Sequence, residues 1–100
     1  MSDIFWDDDW GTLKFQYVEN KVFAHAVAKQ WNKKVYLKFL DIWHVAKEEL
    51  KEAGYNEIYV VIPDNDKKLF KFEVMFGFKV VHQVDGLLMM VCSTENSYGN

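Results

Sequence analysis

The feature that most constrains the fold is a long amphipathic stretch enclosed by two strand-like segments. Between Asn32 and Gly54, apolar side chains recur at helical spacing, namely Tyr36, Phe39, Leu40, Trp43, Ala46, Leu50 and Ala53. Asparagine is suited to cap the start of such a helix, and glycine is suited to end it. A strand, a helix and a strand in this order predict a right-handed crossover, so the two flanking strands should be parallel in one sheet.

Two strands joined by a tight turn are expected before this helix. The turn falls at Glu19-Asn20, because asparagine tolerates the left-handed backbone conformations that short hairpins require. The side chains expected to share the helix-facing side are Leu13, Phe15 and Tyr17 in the first strand, and Val22, Ala24, Ala26 and Ala28 in the second. The small residues of the second strand allow a helix to lie close.

The second half of the chain predicts a strand, a short helix and a final hairpin. Residues 56–63 read NEIYVVIP, a β-branched run typical of a buried strand. Asp64 can cap the helix 65–77, whose apolar side is expected to hold Leu69, Phe72, Val74, Met75 and Phe76. The hairpin turns at Asp85-Gly86, and the apolar run 87–90 after it is expected to be covered on both faces. The fold class is therefore α+β (mixed α/β), a ββαβαββ sheet with two packed helices.

The length of 100 residues predicts a single domain over residues 12–93. Residues 1–11 have no clear period and are interpreted as an acidic-aromatic arm, and residues 94–100 are interpreted as a polar tail. No apolar run approaches the roughly 20 residues that a membrane helix needs. The single cysteine, Cys92, forms no internal disulfide, which fits a reducing compartment. The expected location is the cytoplasm.

The charges argue against direct nucleic-acid binding. All 12 basic residues are lysines, and the formal net charge is −3. Arginine is the preferred side chain for gripping phosphate in a forked geometry, and it is missing.

The arm is the preferred site for a protein partner. Its candidate contact residues are Phe5, Trp6, Asp7, Asp8, Asp9 and Trp10. Aromatic anchors can enter an apolar pocket while the carboxylates meet a basic rim. Removal of the arm should then abolish partner binding and leave the domain folded. The alternative is that Trp6 and Trp10 fold back onto the domain's own sheet.

The histidines predict no metal site. His25, His44 and His82 fall on a strand, a helix and another strand, and no two stand at ligand spacing.

From Lys33 onward, about two-thirds of the chain resembles the GCN5-related N-acetyltransferase (GNAT) family. The similarity lies in the helix ending KEAGYNEIYVVIP, the helix start DND, the phrase FEVMFGF and the hairpin FKVVHQVDGLLMMV. It implies a GNAT-like fold and, in the family's usual form, transfer of an acyl group from acetyl-CoA. Truncated relatives among tailed-phage proteins are also similar.

The resemblance breaks at the family's cofactor loop. Counting back from Gly54, the glycine-rich loop that cradles the diphosphate of CoA falls on Lys33–Phe39, which reads KKVYLKF and holds no glycine. Bulky side chains there should keep phosphate from the backbone N–H groups. The expectation is that no cofactor is bound. The alternative is acetyl-CoA, held by Lys33, Lys34 and Asn65.

The family's general acid is also missing. Where many members have a tyrosine in the second helix, this chain has Glu73 or Phe72, depending on the alignment. If the chain is an enzyme, Glu73 or His25 would move the proton.

These features favour a non-catalytic accessory protein that binds another macromolecule, such as a phage assembly factor or an inhibitor of a host protein. It would act in the host cytoplasm or the virion, and it could form a homodimer. The alternative is a small acyl-CoA-dependent N-acyltransferase, and a further alternative is an acidic mimic of nucleic acid.

Overall fold

The computed structural model describes residues 2–95. Its elements are β1 (Ser2–Asp7), β2 (Gly11–Val18), β3 (Lys21–Ala28), α1 (Lys33–Glu52), β4 (Glu57–Pro63), α2 (Lys67–Met75), β5 (Lys79–Val84) and β6 (Leu87–Ser93). The strands form one sheet in the order β1-β2-β3-β4-β6-β5. Neighbouring strands are antiparallel except β3 and β4, which are parallel and connected through α1. The expected α+β class and the parallel crossover are confirmed.

Helix α1 begins and ends where its sequence indicates. The Asn32 side-chain oxygen accepts a hydrogen bond from the backbone N–H of Val35 at 3.0 Å, a cap worth about 1 kcal/mol. Gly54 adopts a φ of 99° just beyond the helix, a conformation that favours glycine. The helix packs one stripe onto the sheet, formed by Val35, Phe39, Trp43, Ala46 and Leu50.

Both helices cover the same face of the sheet. In β4 the buried Ile58, Val60 and Ile62 alternate with residues on the opposite face, where Val61 is 46% exposed. In β6 only Met90 and Cys92 are buried, and Leu87 is exposed. The prediction that residues 87–90 are covered on both faces is therefore wrong, because no helix among residues 2–95 packs on the second face.

The predicted arm is part of the sheet. Strand β1 pairs antiparallel with β2, and its register shifts between Ile4 and Trp6. The extra residue of this bulge lets the consecutive side chains of Phe5 and Trp6 both face the core. Phe5 meets Phe15 with ring centroids 5.7 Å apart, and Trp6 meets Phe39 at 4.8 Å. For Trp6, the structure therefore shows the alternative, in which the tryptophan packs onto the domain's own core.

The folded domain also extends past its predicted end. Thr94 is 1% exposed, and its hydroxyl donates a hydrogen bond to the carbonyl of Tyr55 at 2.8 Å. Its backbone N–H donates to the carbonyl of Asn56 at 3.0 Å. The tail therefore begins later than residue 94, and its residues 96–100 lie outside the described part of the chain.

Helix α2 differs from its prediction in its cap and its buried stripe. Asp66, rather than Asp64, accepts a hydrogen bond from the backbone N–H of Leu69, while Asp64 accepts one from Gln83. The side chains turned inward stand at positions i, i+3, i+4 and i+7, namely Leu69, Phe72, Glu73 and Phe76. Val74 and Met75 are exposed, because they lie off this stripe.

Candidate functional site

The sheet opens between its two parallel strands. Strands β3 and β4 share a single register pair, Phe23 opposite Tyr59, whereas β4 and β6 pair over their full length from Glu57 to Pro63. Beyond that pair, β3 runs on to Ala28 without a further register pair to β4 in the described chain. The opening therefore lies toward the carboxyl ends of both strands.

Small side chains and a ring of aromatics line the opening. A small cavity of about 20 Å³ lies on its helix-covered side, bounded by Leu13, Ala24, Ala26, Phe39, Trp43, Val60, Phe72, Glu73, Phe76 and Phe78. An open groove of about 890 Å³ adjoins it, bounded by Ala26, Val27, Ala28, Trp31, Asp66, Lys68, Leu69, Lys71, Phe72 and Met75. Ala26 and Phe72 border both spaces, so the groove leads toward the cavity.

Glu73 is the buried ionisable group of this site. The residue is only 6% exposed, and burial raises the pKa of its carboxyl from the ordinary 4.5 to about 7. Within residues 2–95, its carboxylate has no hydrogen-bond or ion-pair partner to stabilise the charged form. The backbone carbonyl of Glu73 is engaged separately, accepting from the N–H groups of Phe76 and Phe78. Glu73 can therefore gain or lose a proton near neutral pH.

The connection between β3 and α1 is formed by other residues than those predicted. The segment KKVYLKF forms the first turns of α1, so the predicted loop at Lys33–Phe39 is wrong. The real connection is residues 29–32, which read KQWN and also lack glycine. Counting back from Gly54 placed this loop inside the segment that the apolar spacing after Asn32 also predicts to be helical, and that segment is helical.

The predicted proton carriers lie apart. Ala24 and Ala26 line the cavity, so the intervening His25 projects from the opposite face of the sheet. There its Nε2 lies 3.0 Å from the Gln16 side-chain oxygen. Of the two candidates, only Glu73 belongs to the opening.

The predicted cofactor-binding residues are not among those that line the groove. Lys33 and Lys34 are exposed in the first turn of α1, close in sequence to the groove residue Trp31. Asn65 is exposed in the turn before α2, next to the groove residue Asp66.

The residues that do line the groove were not predicted as binding residues, above all Trp31, Lys68 and Lys71. A signal was present for Trp31: a large aromatic residue directly precedes the capping residue of α1.

The aspartates of the predicted partner site make contacts within the chain. Asp7 forms an ion pair with Lys29 at 2.9 Å and accepts a hydrogen bond from the Thr12 hydroxyl. Asp8 accepts from the Trp6 indole at 2.9 Å and from the backbone N–H of Trp10 at 2.7 Å. These contacts stabilise the β1–β2 turn, so folding alone accounts for several of the acidic and aromatic residues.

The described residues include no cluster of metal-binding side chains and no helix that could span a membrane. Between residues 2 and 95, no three histidine, cysteine or acidic side chains lie close enough to hold a metal ion. Over the same residues, no helix combines the length and apolar character needed to cross a bilayer. Cys92 is buried, and burial raises the pKa of its thiol.

Comparison with solved structures identifies the fold. No family model and no curated protein matches the sequence. The PaiA N-acetyltransferase from Thermoplasma acidophilum, solved in complex with coenzyme A, is similar with a TM-score of 0.67 and 21% identity, over 83% of this chain and 52% of that one. The ribosomal-protein-S18-alanine N-acetyltransferase from Escherichia coli is similar with a TM-score of 0.60 and 11% identity, over 90% of this chain and 64% of that one.

These likenesses show a GNAT-like fold that spans about half to two-thirds of the neighbours' length. The expectation that no cofactor is bound is contradicted, because this fold is shared with an acetyltransferase that was solved with coenzyme A. That expectation rested on a loop placed at residues 33–39, which are helical, although the connection at residues 29–32 lacks glycine as well.

Proposed function

We propose that this chain binds an acyl-coenzyme A thioester in the opening between β3 and β4 and transfers the acyl group to an amine. The observation that carries the proposal is the single register pair, Phe23 with Tyr59, beyond which the parallel strands separate. The shared fold with an acetyltransferase in complex with coenzyme A supports it.

The opening fits the pantetheine part of coenzyme A. Past Phe23 and Tyr59, the facing edges of the two strands form no further register pair, which leaves backbone N–H and C=O groups for the amides of a ligand. Ala24 and Ala26 provide room on the β3 side. The connection at residues 29–32 does not offer a glycine cradle for the diphosphate, so charge from Lys33 and Lys34 would replace it.

When bound, the thioester supplies an activated acyl group and a thiolate leaving group. Glu73 is the residue suited to manage the proton, because burial brings its pKa to about 7. At neutral pH a substantial fraction of Glu73 is protonated and can act as an acid, while the rest can act as a base. The variant Glu73→Gln keeps the shape and loses the titration, so turnover should fall about 100-fold with little change in acetyl-CoA affinity.

Calorimetric titration with acetyl-CoA tests the binding site. In Ala26→Phe a ring fills the opening, so affinity should fall at least tenfold. The matched control is His25→Phe, which places the same ring on the opposite face of the same strand and should bind like the wild type. Absence of heat with the wild type, or equal affinity in both variants, would refute the proposal.

A second proposal is that the chain also acts as an accessory protein, for example of a phage, through its uncovered sheet face. The observation that favours it is the exposure of Val27, Val61 and Leu87 on the face where the rings of Phe23 and Tyr59 contact each other. Apolar groups that project from one face of a sheet are suited to contact a protein partner.

Charge substitution tests this second role. Val61→Lys should abolish co-purification of a specific protein, whereas Val45→Lys, at an exposed valine of α1, should retain it. Equal recovery with both variants would contradict the role of the sheet face.

A further inference from the structure

Trp31 is an exposed aromatic residue that lines the open groove and packs against three other rings. It is 48% exposed, yet its ring lies 5.3 Å from the Phe72 ring and 6.0 Å from the Tyr36 ring, measured between centroids. A third contact, with Phe39 at 6.1 Å, comes from the buried stripe of α1. One part of the indole is thus fixed against the core while the rest borders the groove.

The same groove carries positive charge. Lys68 and Lys71 are exposed, line the groove and stand three positions apart, so they project from one side of α2. The groove has one opposing charge, Asp66, whose carboxylate accepts a hydrogen bond from the Leu69 N–H at 3.0 Å and caps the helix. With two lysines against one aspartate, the charged side chains of the groove lining carry a net positive charge.

We propose that Trp31, Lys68 and Lys71 form a nucleotide subsite that binds the adenosine 3′,5′-bisphosphate end of coenzyme A. The inference rests on the proposed function and names the groove residues that would hold the nucleotide end of the ligand, in addition to Lys33 and Lys34 at the diphosphate. The adenine ring stacks on the free part of the Trp31 indole, and the ammonium groups of the lysines bind the phosphates.

The dimensions and chemistry of the groove agree with this ligand. Its volume of about 890 Å³ lies within the range of 300–1,000 Å³ that is usual for small-molecule and cofactor sites. An indole whose position is already fixed loses little conformational freedom when a base stacks on it. Point charges on flexible lysine stems tolerate a phosphate without the close backbone approach that glycine would allow.

Binding of free adenosine 3′,5′-bisphosphate, followed by calorimetry and tryptophan fluorescence, tests the subsite directly. Wild-type protein should bind it with quenching of fluorescence. Trp31→Leu should weaken its binding about tenfold and remove most of the quenching. The matched control Phe70→Leu alters an exposed ring of α2 that does not line the groove, and it should leave the affinity unchanged.

The phosphate contacts are tested by a charge reversal. Lys71→Glu should weaken the bisphosphate and coenzyme A by similar factors, and raised salt should weaken binding to the wild type. Lys79→Glu, on β5 and away from the groove lining, makes the same change in net charge and should have no such effect.

The outcomes separate this subsite from the proposed function. Bisphosphate binding that depends on Trp31 supports the subsite even if acetyl transfer is never detected. Tight binding of coenzyme A that is unchanged in Trp31→Leu and Lys71→Glu overturns the subsite while the proposed function stands. If neither coenzyme A nor the bisphosphate binds, both are overturned.

Discussion

Phe23 and Tyr59 stand opposite each other at the one register pair that joins the two parallel strands, with ring centroids 5.7 Å apart. Their rings are tilted relative to each other on the uncovered face of the sheet, while Ala24 and Val60, the next residues along each strand, border the cavity on the covered face. The pair therefore sets the closed end of the opening, and the groove extends from it toward α2.

The first prediction concerns the N-terminal strand. Trp6→Ala removes the ring that packs edge-on against Phe39, and it should lower the free energy of unfolding by about 2 kcal/mol. Urea unfolding followed by circular dichroism measures this. Ile4→Ala is the control, because Ile4 is 64% exposed on the same strand and should be close to neutral. Equal stability of the two variants would restore the interpretation of residues 1–11 as a separate arm.

The second prediction concerns the close packing at Gly11. A Cβ added there would lie 2.5 Å from the Phe39 ring and 2.6 Å from the backbone carbonyl oxygen of Val27. Because the carbonyl cannot move without disturbing the sheet, Gly11→Ala should lower the free energy of unfolding by about 2–3 kcal/mol.

Gly54→Ala provides the comparison for Gly11. A Cβ at Gly54 meets nothing within 4 Å, and the strain comes only from its φ of 99°, so the expected loss is about 1 kcal/mol. A greater loss at Gly54 than at Gly11 would contradict the packing described between β2, β3 and α1.

The third prediction is a pH dependence of stability that originates at Glu73. Burial raises the pKa of its carboxyl from 4.5 to about 7. Between pH 4.5 and about pH 7, Glu73 keeps its proton in the folded protein but has lost it in the unfolded chain. The free energy of unfolding should therefore fall as the pH rises through this range. With about 1.4 kcal/mol per pKa unit, the total decrease approaches about 3 kcal/mol.

Urea unfolding between pH 5 and pH 8 tests this dependence. Glu73→Gln should flatten the decrease and be more stable than the wild type at pH 8, whereas Glu48→Gln, at an exposed position of α1, should retain it. Hydrogen bonds from lysines lower the pKa of Asp7 and of Glu95, so these groups lose their contribution only as the pH falls further. A wild-type decrease that persists in Glu73→Gln would show that another group is responsible.

Local patterns in the sequence were sufficient to predict most of the helices and strands. The helical spacing between Asn32 and Gly54 predicted α1, and the alternation of Leu13 and Phe15 predicted the buried face of β2. The parallel pair followed from chain order and the handedness of crossovers.

The features that were predicted wrongly or not at all depend on contacts between residues far apart in the sequence or on local irregularities. The bulge that turns both Phe5 and Trp6 inward breaks the simple alternation on which strand prediction relies. The apolar side predicted for the second helix did not include Glu73, although its position on the stripe with Leu69, Phe72 and Phe76 could have revealed its burial. The groove beside Trp31 arises where β3 and α2 come together, residues about forty positions apart, and no local pattern encodes it.

The central claim is that a coenzyme A thioester enters between β3 and β4. Mapping backbone-amide chemical shifts by nuclear magnetic resonance, during titration of this 11.9 kDa chain with acetyl-CoA, tests it most directly. The largest changes should fall on residues 24–28 and 60–63, on either side of the opening, and they should saturate together. Unchanged spectra, or changes confined to β5 and its turn into β6, would contradict the account.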